Sequence, residues 1–218
     1  MPVIVQLVVT FLTVLLVPVA QAGAQSLVAS VLPASRSVQV GATATAFATI
    51  INAGSTTATG CRIAAPAGNF NFAYQTTDPS TNQVTGSPNT PVNIGAGVAQ
   101  SFVIAFETTG PIAPTDVQLD FRCDNAGPAQ SIVGLNTLLL SASASAVADI
   151  VALGATLSNN GIANVLNTSS VFAVATVNVG SADTITATAD TGTGAPPVAI
   201  ALCQTNPSTG QCLGPMGP

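Results

Sequence analysis

The sequence contains no histidine, no lysine and no tryptophan, and its only cations are Arg36, Arg62 and Arg122. Without histidine there is no imidazole base, no histidine metal ligand and no Ser-His-Asp triad. Without lysine there is neither Schiff-base chemistry nor a phosphate-binding P-loop lysine. Three scattered arginines cannot form the basic surface that nucleic acid requires, so we expect no nucleic-acid partner.

Charge and aromatic side chains are also scarce. Charged residues make up 5% of the chain, aromatic residues 4%, and the net charge is −5, whereas soluble domains carry roughly 25% charged residues. Apolar residues nevertheless reach 48%, mostly as small side chains, so a core can form from short strands joined by tight turns. A surface made polar by Ser, Thr, Asn and Gln suits an extracellular protein.

The first 24 residues have the features of a signal peptide. Val3–Ala20 is mostly apolar, and Ala20-Gln21-Ala22 fits a signal-peptidase site, with Ala22-Gly23-Ala24 as a second choice. Because no cation precedes the apolar run, either the free α-amino group supplies the charge or the true start lies upstream. The alternative is an uncleaved anchor helix, which needs about 20 apolar residues, but Pro18 favours cleavage. We therefore predict a signal helix over residues 1–24, secretion or a cell-surface location, and no membrane association after cleavage.

Residues 26–143 alternate apolar and polar side chains with the period of two that half-buried strands show. Three segments place apolar side chains on one face: Phe70, Phe72 and Tyr74; Phe102, Ile104 and Phe106; Val117, Leu119, Phe121 and Cys123. Turn-forming residues recur about every 8–12 residues, which is typical of an all-β sandwich or barrel. The best helix candidate, SASASAVADIVAL at Ser141–Leu153, is interpreted as a strand end, a linker and a new strand.

The four cysteines, which all follow the predicted cleavage site, indicate two disulfides. Cys61 and Cys123 are placed on inward strand faces, and the alternative is a pair of buried free thiols. Cys203 and Cys212 bracket the segment CQTNPSTGQC, in which Asn206-Pro207 opens a predicted β-hairpin turn and Gly210 suits a positive φ. We expect the two cysteines to face each other across the strands of this hairpin. The spacing of the four cysteines matches no zinc-binding pattern.

An internal repeat is indicated by two matches in the same order. QTNPSTGQ aligns with TTDPSTNQ at an offset of 128, and ATVNVGS aligns with TIINAGS at an offset of 126. Copy one then spans residues 26–143, and copy two, spanning 144–218, is incomplete because nothing in it corresponds to NIGAGVAQSFVIAFE or DVQLDFRCD. We expect either further domains of the same chain or a natural half-domain that docks on copy one or on another chain.

The segments ATIINAGSTTATGCRI and NIGAGVAQSFVIAFE resemble the immunoglobulin-like repeats of bacterial surface proteins, the cell-adhesion-related (CARDB-type) modules. The residues that carry the resemblance are Asn52, Gly54, Ser55 and Gly97 in copy one, and Asn178, Gly180 and Ser181 in copy two. The resemblance implies a sandwich of seven to nine strands in an exported, often multi-domain protein. It supplies no catalytic residues.

Residue types that could carry chemistry point to structural roles. Glu107, Asp116, Asp120 and Asp124 form the only local group of carboxylates, and their places on outward faces and at strand ends favour solvated or turn roles over acid–base catalysis. Asp116 and Asp124 could bind Ca²⁺ with backbone carbonyls, but the loops lack the alternating Asp/Asn spacing of a calcium site. Tyr74 alternates in phase with two phenylalanines, which favours core packing over a carbohydrate platform.

The sequence therefore predicts an all-β protein of tandem immunoglobulin-like antiparallel β-sandwiches, the second one incomplete, after a signal helix. We expect a non-enzymatic structural or adhesive module of a larger surface or secreted protein, with no cofactor, no metal and an unidentified surface or matrix ligand as its partner. Two alternatives stay open: a carbohydrate- or ligand-binding module that uses loops such as Asp78–Asn82, and the N-terminal accessory region of a secreted hydrolase.

Overall fold

A computed structural model describes residues 26–158, 161–165, 168–191, 194 and 196–217. The predicted signal helix at residues 1–24 lies outside this described part of the chain. The described residues are all-β, and none of them belongs to a helix long and apolar enough to cross a membrane. The strands are β1 (Leu27–Leu32), β2 (Ser35–Gln39), β3 (Thr43–Asn52), β4 (Ala58–Ala64), β5 (Phe70–Thr77), β6 (Val92–Ile94), β7 (Ala99–Thr108), β8 (Ile112–Gln118), β9 (Asp120–Arg122), β10 (Thr137–Ser143), β11 (Ile150–Thr156) and β12 (Phe172–Asn178).

One sheet has the strand order β1-β3-β7-β5, and all its neighbours run antiparallel. Its centre is the long pair β3 and β7, in which Ala48 lies opposite Phe102 and Ala46 opposite Ile104. Small side chains on β3 thus face large ones on β7, which lets the inner face of the sheet fill without voids.

The second layer is formed by two three-stranded sheets with the orders β2-β10-β8 and β6-β4-β9. Only Leu119 separates β8 from β9, so these two strands carry one alternating segment through both sheets. The layer therefore runs β2, β10, β8 and β9, β4, β6. Strand β2 pairs with β10 in parallel, whereas the other pairs of this layer are antiparallel.

The core lies between the two layers and confirms the predicted alternation. Phe102, Ile104 and Phe106 on β7 are fully buried, and so is Phe121 on β9. The ring of Phe106 contacts those of Phe70 and Phe72 at centroid distances of 5.1 and 5.0 Å. These packed layers are consistent with the predicted β-sandwich, and burial of their apolar side chains stabilises it.

Beyond residue 143 the described chain forms a two-stranded sheet of β11 and β12 and no further named strand. Strand β10 ends at Ser143 and β11 begins at Ile150, which confirms the interpretation of Ser141–Leu153 as a strand end, a linker and a new strand. Every residue of β12 is exposed, and all members of the buried core lie between Leu27 and Ala142.

Candidate functional site

The first disulfide joins neighbouring strands of one layer. Strands β4 and β9 pair with Arg62 opposite Arg122, which brings Cys61 beside Cys123 just beyond the end of β9. Both cysteines are buried and are bonded to each other, with their Cα atoms 3.9 Å apart. The bridge spans a sequence separation of 62 residues, and closing a loop of that size contributes about 4 kcal/mol in the chain-entropy account.

The two copies of the DPST/NPST segment adopt the same turn. In copy one, the Oδ1 atom of Asp78 accepts hydrogen bonds from the backbone amides of Ser80 and Thr81 at 2.8 and 2.9 Å. In copy two, Asn206 Oδ1 accepts the corresponding bonds from Ser208 and Thr209 at 2.9 and 3.2 Å. A side-chain oxygen that satisfies backbone donors two and three residues ahead is what stabilises such turns.

Each of these turns closes through a residue at positive φ. Gly210 has a φ of 70°, and its amide donates to the Asn206 carbonyl at 2.8 Å. Its counterpart Asn82 has a φ of 58° and donates to the Asp78 carbonyl at 2.8 Å. Glycine and asparagine tolerate this conformation better than other residues, so the prediction for Gly210 is confirmed.

The second disulfide differs in detail from the predicted cross-strand pair. Cys203 and Cys212 are bonded, but Cys212 lies opposite Thr205 in an isolated bridge rather than opposite Cys203. The disulfide therefore runs diagonally across the base of the turn, over a Cα–Cα distance of 5.6 Å. In copy one Val84 lies opposite Thr77 in the same way. There the base of the turn is held by side-chain hydrogen bonds, from Thr76 Oγ1 to the Thr85 carbonyl and from Thr85 Oγ1 to Thr76 Oγ1, and not by a disulfide.

A second repeated geometry follows the strands β3 and β12. Asn52, the last residue of β3, accepts the amide of Gly54 at 3.0 Å, and Asn178, the last residue of β12, accepts the amide of Gly180 at 3.0 Å. Each asparagine also donates through Nδ2 to a backbone carbonyl just downstream, that of Thr56 and that of Ser181 respectively. The Asn-x-Gly-Ser pattern is therefore a turn stabilised by its own asparagine.

The junction between residues 26–143 and the β11–β12 sheet is held by an ion pair that the sequence did not predict. Oδ2 of Asp149 contacts Nε and an Nη atom of Arg36, both at 2.8 Å, while Oδ1 accepts the backbone amide of Ser37 at 2.9 Å. The side chains of Asp149 and Arg36 are only 3% and 14% exposed. Because buried charges of opposite sign are costly to separate, this contact fixes the start of β11 against β2.

Asp149 also organises the turn that follows β12 through backbone atoms. Its amide donates to Asn178 Oδ1 at 3.0 Å, and its carbonyl accepts the amide of Val179 at 2.8 Å. A Cβ atom at Gly180 would lie 2.4 Å from the Val147 carbonyl oxygen and 2.6 Å from the Asp149 nitrogen. The junction thus packs backbone against backbone at a position that only glycine fits.

The scarcity of cations limits the possible charged partners at this junction to three arginines. Each of the three arginines pairs with an aspartate: Arg36 with Asp149, Arg62 with Asp124, and Arg122 with Asp120. The last two pairs connect residues at or near the paired strands β4 and β9, whereas Arg36 and Asp149 are 113 residues apart. Such a long-range partner cannot be chosen from seven aspartates by spacing alone.

The four carboxylates considered for acid–base or calcium chemistry have separate structural partners. Asp120 and Asp124 pair with arginines, Glu107 accepts the side-chain amide of Asn71 at 3.2 Å, and Asp116 accepts the hydroxyl of Thr137 at 3.3 Å. Within the described ranges no three His, Cys, Asp or Glu residues are grouped as metal ligands would be. Asp120 and Asp124 are therefore held by ion pairs, and Glu107 and Asp116 by hydrogen bonds from side chains of neighbouring strands.

Tyr74 and Asp78, which were considered for ligand binding, serve core packing and turn formation respectively. Tyr74 is buried, and its ring meets that of Phe102 edge-on at a centroid distance of 6.0 Å, which confirms core packing. Burial raises the pKa of its hydroxyl, and the charge of Arg62 has a smaller, lowering effect on that pKa. Hydrogen bonds from the amides of Ser80 and Thr81 lower the pKa of Asp78. The Asp78 carboxylate is thus committed to its own turn.

A shallow groove of about 470 Å³ runs beside the free edge of β1. Its walls are β1 itself and the loop that precedes β10, with apolar contributions from Leu27, Ala29, Ile132 and Leu135. None of the residues lining it is charged. The groove includes the hydroxyl of Ser26 but no charged side chain among its lining residues that could act as its base.

No model of a protein family matches the chain, and no curated protein matches it. Among solved structures, a family 123 glycoside hydrolase from Clostridium perfringens, described in connection with glycolipid glycan hydrolysis, aligns with a TM-score of 0.36 and 12% sequence identity. The alignment covers 54% of this chain and 27% of that chain, so this chain spans about a quarter of that protein's length. Similarity at this level carries no information about substrate or activity.

Proposed function

We propose that the protein is an exported, non-enzymatic segment of a larger surface or secreted protein, built of tandem immunoglobulin-like modules of the cell-adhesion-related type. Its role is structural or adhesive: the modules hold and space other parts of the protein, or present their loops to a surface or matrix ligand. The two disulfides support an extracellular location, because such bonds persist in oxidising compartments.

The strand order supports the immunoglobulin-like assignment of residues 26–143. Immunoglobulin sandwiches pair their first, second, fifth and fourth strands in one sheet, and here that sheet is β1-β3-β7-β5. The opposite sheet places β4 beside the segment of β8 and β9, followed by β10. Antibody domains differ in one respect, because their disulfide crosses between the sheets, whereas Cys61 and Cys123 bridge neighbouring strands of one layer.

The matching hydrogen bonds in the two copies support the tandem repeat. The turns at Asp78 and Asn206 share their amide bonds and their positive-φ residue, and the turns at Asn52 and Asn178 share their bond to a glycine amide. The pairing of β11 with β12 also matches that of β1 with β3, since Ile150 lies opposite Asn178 as Leu27 lies opposite Asn52.

The observation that carries the structural role is the buried ion pair between Arg36 and Asp149. A flexible linker between modules contains polar, exposed residues and no fixed contacts. Here, by contrast, the nearly buried carboxylate of Asp149 ties the start of β11 in one module to β2 in the other. A fixed joint lets a chain of modules hold a defined direction, which is the mechanical requirement for a spacer.

The joint can be tested by comparing the rotational tumbling of residues 26–143 with that of the β11–β12 sheet. In the chain with residues 1–24 removed, we expect backbone ¹⁵N relaxation to give the same tumbling time for β3 and β11. Asp149→Asn keeps an acceptor but removes the charge, and Asp149→Ala removes both. In the alanine variant the amides of β11 and β12 should move faster than those of β3, with the asparagine variant between.

Asp183→Asn is the matched control, since Asp183 is an acidic residue of the same module with an exposed side chain. It should leave the tumbling of both sides unchanged. Independent tumbling of the two sides in the unsubstituted chain would rule out a fixed joint.

Export is checked separately: expression of the full chain in a Gram-negative host should yield a secreted product that starts near Gly23 or Gln25, with no free thiol by mass spectrometry.

A further inference from the structure

The sheet β1-β3-β7-β5 carries apolar side chains on the face that points away from the core. Val28 and Leu32 on β1 are 46% and 54% exposed, and Phe47 and Ile51 on β3 are 41% and 38% exposed. The pairing register groups them, because Val28 lies opposite Ile51 and Leu32 opposite Phe47. The solvent face of an antiparallel sheet is ordinarily polar, so this surface, which we call the outer face, has the character of an interaction site.

The two layers of residues 26–143 also differ in where their charges lie. The strands of the second layer carry charges of both signs: Arg36, Arg62, Arg122, Asp116 and Asp120. Among β1, β3, β5 and β7, by contrast, the only charged residue is Glu107, next to the end of β7. A surface that binds a copy of itself must avoid placing like charges together, and the outer face meets this condition along most of its length.

The outer face is divided into a half with large side chains and a half with small ones. The large apolar residues lie on β1 and β3, whereas the outward positions of β7 before Glu107 are small or medium in size: Ala99, Ser101, Val103 and Ala105. A two-fold axis along the boundary between β3 and β7 would place β3 of each copy over β7 of the other. Phe47 would then pack on the side chains around Val103 of the second copy, and facing layers interdigitate best when large residues meet small ones.

The size of the outer face suits a reversible dimer. Strands β3 and β7 each contain 10 residues. With about 3.3 Å per residue and about 4.8 Å between strands, four strands cover at most about 600 Å². Two such faces would together bury about 1,200 Å², which is at the lower end of the range for specific interfaces and typical of weak complexes.

We propose that the outer face is a self-association site, through which two copies of the chain pack face to face about a two-fold axis that runs along the strands. The partner is a second copy because the large and small halves of this uncharged face complement each other under that axis. The inference goes beyond the function proposed above and does not rest on it, since it uses only the fold of residues 26–143.

The test measures sedimentation velocity of the chain with residues 1–24 removed, at concentrations from about 5 µM to about 500 µM. We expect the weight-average sedimentation coefficient to rise over this range toward the value of a dimer. Phe47→Glu places a charge within the outer face and should weaken association by about tenfold or more. Leu139→Glu is the matched control and should leave association unchanged, because Leu139 is 40% exposed but belongs to β10 in the other layer.

A third variant tests the two-fold arrangement. Ala105→Phe adds bulk to the small half of the face, so that large side chains meet large ones, and it should weaken association although it makes the surface more apolar. In a mixture of isotope-labelled and unlabelled chains, nuclear Overhauser effects should connect the Phe47 ring of one copy with the Val103 methyl groups of the other. Far-ultraviolet circular dichroism checks that each variant is folded, and if Phe47→Glu unfolds the chain, the Overhauser effects in the unsubstituted chain decide.

A monomer at every concentration would overturn the proposal, and so would a dimer that a folded Phe47→Glu variant leaves intact. Stronger association of Ala105→Phe would contradict the packing of large side chains on small ones. Contacts between copies through the β11–β12 sheet instead of β3 and β7 would place the interface elsewhere and overturn the assignment. None of these results bears on the joint between Arg36 and Asp149, which is tested separately.

Discussion

Single polar side chains that bind their own backbone recur through this protein. Asp78 and Asn206 each accept two amides of the turn that follows them, and Asn52 and Asn178 do the same for one glycine amide each. In a chain so poor in charge, these local bonds replace surface ion pairs as the means of holding loops in place. Each side chain acts within a few residues of its own position, so its role can be tested by a single substitution.

Asp78 gives the residue-scale prediction. Its pKa is lowered by the amides of Ser80 and Thr81, so the carboxylate stabilises the turn above its unfolded-state pKa, and the contribution is lost as pH falls through the lower folded-state value. Asp78→Asn should keep the turn, because Asn206 serves the same purpose, and should remove this acid-dependent loss. Asp78→Ala should lose the turn at every pH.

The measurement is the chemical shift of the Ser80 and Thr81 amides between about pH 7 and about pH 2. The native chain should show a titration at low pH that both variants lack, and only the alanine variant should show displaced shifts at neutral pH. Identical shifts in the alanine variant and the native chain would contradict the role assigned to Asp78.

At the scale of elements, strands are positioned by turns in which backbone approaches backbone. The start of β11 meets β2 through Asp149, and the backbone of Val147 and Asp149 packs against the turn that follows β12. The close approach at Gly180 has no counterpart at Gly154, where an added Cβ would meet nothing within 4 Å. These two glycines, both beyond residue 143, therefore differ entirely in how much they constrain the structure.

Gly180→Ala should displace the junction, since its Cβ would overlap the Val147 carbonyl and the Asp149 amide. We expect it to lower the free energy of unfolding of the β11–β12 region by about 2 kcal/mol or more, as steric conflict with backbone does. Gly154→Ala should be neutral or slightly stabilising, because alanine reduces the entropy of the unfolded chain.

Hydrogen exchange of the β11 and β12 amides measures both effects locally. The test requires the two variants to differ: equal exchange in the Gly180 and Gly154 variants would show that the junction is looser than the structure indicates.

For the whole molecule, burial is divided very unevenly. All core residues lie between Leu27 and Ala142, whereas β12 is exposed along its whole length. A two-stranded sheet without a buried face is marginally stable in water, so the second region depends on its joint and on the disulfide between Cys203 and Cys212.

A chain of residues 26–143 should consequently fold alone. We expect a single cooperative thermal transition by far-ultraviolet circular dichroism and a dispersed NMR spectrum that matches the same residues in the longer chain. Residues 144–218 alone should show no cooperative transition. A cooperative transition in that shorter chain, or its absence in residues 26–143, would contradict this division of the core.

The sequence by itself determined the three alternating segments and their inward residues, because each depends on a local pattern. The even number of cysteines indicated two disulfides but did not decide between a bridge and free thiols for Cys61 and Cys123, which are 62 residues apart. Alternation of period two placed Phe102, Ile104 and Phe121 in the core, and turn chemistry placed Gly210 at positive φ. The break between β8 and β9 and the diagonal position of Cys212 did not follow from the pattern, since strand ends depend on which neighbours are available for pairing.

Only the tertiary structure decided the contact between Arg36 and Asp149, the close approach at Gly180 and the open edge of β12. An ion pair across 113 residues depends on the course of the chain between its partners. The residues around Arg36 in the sequence do not indicate which aspartate will lie beside it. Periodicity indicates which face of β12 is apolar, but only the arrangement of all the strands decides whether that face and edge are covered, because burial is a property of the packed molecule.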